Sequence, residues 1–87
     1  MKLNIKQQQL IEELLKKVKQ KYPEIVLRNM EESPEDPDDI WINIITDMEE
    51  ERQMELSHYA AVLETDILTD YGYAFTIMTH NPNTVFA

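Results

Sequence analysis

The chain has 87 residues, of which 43% are hydrophobic and 29% charged, with a formal net charge of −9 and no cysteine. That length predicts a single domain over residues 1–87, hiding roughly 60–65% of the surface its unfolded form exposes. The lack of cysteine excludes disulfides, thiolate zinc sites and a thiol nucleophile, and makes a reducing cytoplasm the expected compartment.

The charge is unevenly spread. Residues 1–28 carry seven bases (Lys2, Lys6, Lys16, Lys17, Lys19, Lys21, Arg28) against three acids, a balance of +4, whereas residues 29–87 carry Arg52 against fourteen acids, a balance of −13. A chain this acidic repels nucleic acid at long range, so no nucleic-acid binding is expected. Four of the lysines fall in the last turns of a predicted helix, where the macrodipole favours cations for structural reasons. Met1-Lys2-Leu3-Asn4 runs into a Gln-rich stretch, and no apolar run approaches the roughly 20 residues that span a bilayer, so neither secretion nor a membrane partner is expected.

From Asn4 to Tyr22 the residues Leu10, Ile11, Leu14, Leu15, Val18 and Tyr22 recur every three or four positions, the stripe of an amphipathic helix that Pro23 ends. Glu24 to Met30 follows as a strand, with Ile25, Leu27 and Asn29 expected on one face and Val26, Arg28 and Met30 on the other. Residues 31–39 hold two prolines and six acids, which predicts a short loop and therefore an antiparallel hairpin. Asp39 to Asp47 is a nearly unbroken β-branched and aromatic run. Large apolar side chains on both of its alternating faces, interrupted only by Asn43, mark it as the central strand.

Asp47 is the predicted N-cap of the next helix, with Glu50 completing a capping-box-like pair. That helix is predicted to run to about Asp70, to bury Leu56, Tyr59, Ala60, Leu63 and Ile67, and to stop at Gly72, the only glycine. Tyr73 to Thr79 alternates as a third strand, Asn81-Pro82-Asn83 turns the chain, and Val85-Phe86 is expected either to dock or to fray.

The order helix, strand, strand, helix, strand predicts an α+β fold. It is a two-layer αββαβ arrangement, a three-stranded mixed sheet with strand two central and two helices on one face, the second helix making a right-handed crossover. One sheet face is then left without cover, although strand two presents Trp41 and Ile45 there beside Asn43. Exposed apolar patches of several hundred Å² mark interfaces, so a homodimer through the sheet is expected, with Trp41, Asn43, Ile45 and Arg28 as interface residues. The acidic half adds the expectation of a basic protein partner, because charge complementarity accelerates association.

Catalytic signals are sparse. The loop Glu35-Asp36-Pro37-Asp38-Asp39 carries oxygen ligands, but it lacks the alternating spacing and glycine of a calcium loop and reads as a solvated turn, so no metal site and no cofactor are expected. His58 and His80 stand apart from one another, with no serine or cysteine placed for activation, and no catalytic residue is assigned. The chain therefore reads as a small acidic interaction or regulatory protein without catalytic activity. The alternative, a small metal-assisted hydrolase or transferase, requires the acidic loop and His58 or His80 to converge in a pocket.

Val26 through Ile45 carries one further signal. Asn29-Met30 ends the first strand and Asp39-Ile40-Trp41 opens the second, and in this order of elements the chain resembles a degenerate nucleotidyltransferase-like core over roughly residues 5–79. That family places Gly-Ser at the end of its first strand and Asp-x-Asp on its second, where the carboxylates hold magnesium against a nucleotide triphosphate. Asn29-Met30 stands where Gly-Ser would be, Trp41 replaces the second carboxylate, and Ala74-Phe75-Thr76-Ile77 adds none. The resemblance thus implies a fold whose catalytic apparatus has been lost and, at most, a surviving nucleotide-binding role.

Overall fold

The computed structural model describes residues 2–82. The elements follow the order α1 (Ile5–Lys21), β1 (Val26–Glu32), β2 (Asp39–Ile45), α2 (Glu50–Tyr71) and β3 (Ala74–His80). The expected positions of Asn83 and Val85-Phe86 lie outside the described residues.

Asn4 starts α1 with a reciprocal cap: its side-chain oxygen accepts from the Gln7 N–H at 2.7 Å, and the Gln7 side chain accepts from the Asn4 N–H at 2.9 Å. The stripe seen in the sequence is the buried stripe, with Leu10, Ile11, Leu14, Val18 and Tyr22 inside and Leu15 partly so. Tyr22 closes the helix, its N–H bonded to the Val18 carbonyl, and Pro23 prevents another turn.

The sheet has the order β1-β2-β3, with β1 antiparallel and β3 parallel to the central β2. It is the predicted two-layer α+β arrangement. Ile40, Ile42 and Ile44 of β2 join Phe75 and Ile77 of β3 and the buried residues of both helices in one hydrophobic cluster, so both helices cover the same sheet face. Burying a large aliphatic side chain contributes about 1.5–3 kcal/mol, and these five strand residues therefore fix which face turns inward.

Three local expectations are corrected. The hairpin loop is shorter than residues 31–39, because Glu31 and Glu32 continue β1 opposite Trp41 and Ile40, and the turn closes where the Ser33 N–H meets the Asp39 carbonyl at 2.8 Å. β1 is also bulged between Leu27 and Asn29. Leu27 and Met30 both line the groove against Leu3, Ile11 and Leu15 of the helical layer, so the extra residue places Arg28 and Asn29 in succession on the opposite face, where strict alternation had separated them.

The third correction is the cap of α2, which is Glu49 without a side-chain cap bond rather than Asp47. Met48 is only 7% exposed, and its N–H is held by the Thr46 hydroxyl at 3.3 Å, so the chain first sends Met48 into the core and turns helical two residues late. The far end behaves as read: Gly72 adopts φ +78° and its N–H bonds the Leu68 carbonyl. Within α2, Leu56 and Ala60 are buried, whereas Tyr59, Leu63 and Ile67 are only partly covered. Among the described residues no helix is long and apolar enough to cross a membrane.

Candidate functional site

With both helices on one side, β2 turns Asp39, Trp41, Asn43 and Ile45 toward the other. The strand register arranges this open face in four cross-strand rows: Val26, Ile45 and His80; Asn29, Asn43 and Met78; Glu31, Trp41 and Thr76; then Asp39 and Ala74. Trp41, Asn43 and Ile45 thus share the face, and Arg28 joins them through the bulge.

The face is not the uniformly apolar patch that the sequence suggests. Asn43 is only 3% exposed although no described element packs over it, because its neighbours close around it. Its Nδ2 donates to Asn29 Oδ1 at 2.8 Å and to Glu31 Oε2 at 3.1 Å, while its Oδ1 lies 2.8 Å from His80 Nε2. Both amide hydrogens are therefore used, the oxygen is left to accept, and His80 must donate from Nε2. Around this polar centre stand Trp41 and Ile45, both part-buried, and Val26, which is 60% exposed.

A second polar pair lies at the acidic end, where the Thr76 hydroxyl donates to Asp39 at 3.0 Å. Beside it, on the outer edge of β3, Glu64 of α2 accepts the Ile77 N–H at 2.8 Å. An unpaired strand edge invites pairing with another chain, and this contact blunts that edge. Burial pushes the Glu64 carboxyl up to about 6, the Ile77 N–H works in the opposite direction, and the charge of Asp39 adds to the rise. Sequence reading missed Glu64, although its spacing of four from Ala60 and three from Ile67 put it on the core-facing flank of the helix.

The remaining candidates disperse. His58 is exposed on α2, while His80 closes the row farthest from the acidic turn, about 20 Å along the strands from Asp39. The acidic loop and the histidines do not converge, and among the described residues no group of three or more His, Cys, Asp or Glu side chains is placed to hold a metal. Several cations serve the fold instead. Lys6 lies 4.6 Å from the Tyr71 ring, Lys21 lies 4.5 Å from the Tyr59 ring, and Arg52 lies 4.9 Å from the Tyr22 ring while bonding Glu24 at 3.2 Å. The Arg52 guanidinium holds the Glu24 carboxyl below its ordinary value.

No family model, curated protein or solved structure matches the chain.

Proposed function

We propose that the protein is a small acidic interaction module of the cytosol that pairs with a second copy of itself through the open face of its sheet. One observation carries this reading: the central strand turns Trp41 and Ile45 to a face that neither helix covers, with Val26 60% exposed beside them. Apolar side chains grouped on one sheet face gain from burial against a second surface. The charge supports the same face. The four rows and the bulge hold Arg28, His80, Glu31 and Asp39, far nearer to neutrality than a chain of −9.

The size of the face sets the expected strength. Three strands about 4.8 Å apart and seven residues long present roughly 14 by 23 Å, well short of the ~800 Å² per partner of a standard interface. The pair is therefore weak and concentration-dependent. The acidic balance of −13 over residues 29–87 suits a basic protein as a further partner, since opposite potentials raise the encounter rate.

Light scattering on the intact chain from micromolar to near-millimolar concentration tests the reading, with Trp41→Glu as the variant. Mass rising toward twice the monomer, and a folded Trp41→Glu chain that stays monomeric, is the expected pair of results. A native chain that remains monomeric throughout removes it.

A further inference from the structure

We propose that the two copies stack with their strands antiparallel and their rows reversed, so that the Glu31–Asp39 end of one face lies over the Arg28–His80 end of the other. This rests on the pairing through the sheet face proposed above and specifies its geometry.

The two ends of the face differ in charge. At one end, the segment 31–39 carries six acids and no base, with Glu31 and Asp39 in the last two rows of the face. At the other end stand Arg28 at the bulge and His80, whose Nε2–H points to Asn43, beside apolar Val26 and Ile45. The centre is the Asn43 row and the Trp41 row.

Two sheets packed face to face keep their strands within about 30° of alignment. A symmetric pair uses the same patch on both copies, so its two-fold axis lies in the plane between them, either along β2 or across the three strands. An axis along β2 lays each row over its own copy. Both acidic turns then sit at one end of the dimer, and Asp39 is pressed toward its duplicate as water leaves, with each Glu31 over Thr76 of the second copy. Like charges brought together in a partly dry contact disfavour it strongly.

An axis across the strands reverses the rows and keeps β1 over β1. The acidic turns move to opposite ends of the dimer. Each Glu31 then lies over the β1 segment that holds Arg28 of the second copy, and each His80 approaches the Thr76 and Asp39 end. Trp41 comes over Asn43 of the second copy, so an apolar ring closes a polar centre whose hydrogen bonds are already made within its own chain.

The chain has no cysteine, so single-cysteine variants report the geometry through a bismaleimide spanning about 10 Å, the spacing of stacked sheets. Ile45→Cys lies in the first row and Ala74→Cys in the last. Reversed rows with like strands facing place residue 45 of one copy over residue 39 of the other, one strand away from its residue 74 and within the linker's reach, and keep like positions apart. A mixture of the two variants should therefore cross-link, and neither variant should cross-link by itself, at concentrations where light scattering shows the pair. Cross-linking of Ile45→Cys alone, or a scattering dimer in which the mixture stays unlinked, overturns the reversed stacking while leaving the pairing intact. A monomer by scattering overturns both. As a second readout, Arg28→Glu and Glu31→Arg should each weaken pairing roughly 2–5-fold, and the double variant should restore it. A double variant weaker than either single one contradicts the proposed contact.

Discussion

His80 Nε2 lies 2.8 Å from Asn43 Oδ1, joining the last residue of β3 to the middle of β2 across 37 positions of sequence. Because Asn43 spends both amide hydrogens on Asn29 and Glu31, this bond has only one direction, and the imidazole is the donor. The bond thus links the three strands on the open face, opposite the hydrophobic layer that holds them on the other.

Nitrogen-detected NMR of the imidazole should accordingly show the proton on Nε2, and replacement of Asn43 should release it. Asn43→Asp is the sharper substitution, since it removes two donors and sets a carboxylate beside Glu31. It should cost about 1–3 kcal/mol in urea unfolding. A neutral Nδ1–H tautomer in the native protein would contradict the network.

The two faces of β2 should respond differently to truncation. Ile42 has no exposed surface, so Ile42→Ala should cost about 2–5 kcal/mol. Ile45, part-buried on the open face, should lose about 1 kcal/mol of monomer stability on the same change. Its larger effect should be on pairing, seen as a lower mass by light scattering. Equal stability losses at the two positions would show that the second face is covered as the first is.

Glu64 makes stability depend on pH. Its carboxyl is raised from 4.5 to about 6, so the native state holds the proton more tightly than the unfolded chain does. Stability from this group is fully present below about 4.5 and is lost as pH rises through about 6. Discounted for its contact with solvent, the loss is about 1 kcal/mol. Glu64→Gln keeps an acceptor for the Ile77 N–H without the charge, and should exceed the native chain in stability at pH 7.5 while matching it at pH 4. A variant less stable at pH 7.5 would mean that the charge itself supports the β3 edge.

Gly72→Ala should lower stability by about 1 kcal/mol, a few degrees in Tm, because φ +78° strains any residue with a Cβ. Beyond Gly72 and its two chain neighbours, no heavy atom lies within 4 Å of the added carbon, so the cost is one of backbone conformation and not of crowding. Gly72→Asn, better tolerated in the left-handed region, should lose less. The reverse order would place the cause in packing.

Much of this architecture was legible because it rests on periodic signals. The three-to-four spacing of Leu10, Ile11, Leu14 and Val18, the two-sided apolar character of residues 40–45 and the isolated Gly72 each have a single local reading. The polar details depend on partners far away in sequence. Asn43 looks like an interruption until His80 and Glu31 are beside it, and Asp47 looks like a cap until the burial of Met48 delays the helix. The bulge at Arg28 has no signature in composition. It follows from the need to keep Leu27 and Met30 against the helical layer and Asn29 against Asn43. For the same reason the placement of Trp41 and Ile45 was readable, whereas the polar centre between them was not.

Proton–nitrogen correlation spectra of the native chain, recorded through dilution from about 1 mM to about 10 μM, test the central claim most directly. The Trp41 indole and the amides of Asn43, Ile45 and Met78 should shift together with one concentration dependence, while the exposed helix positions Glu13 and Val62 stay fixed. Spectra unchanged by dilution with a monomeric relaxation rate, or shifts confined to the helices, would contradict pairing through the open sheet face.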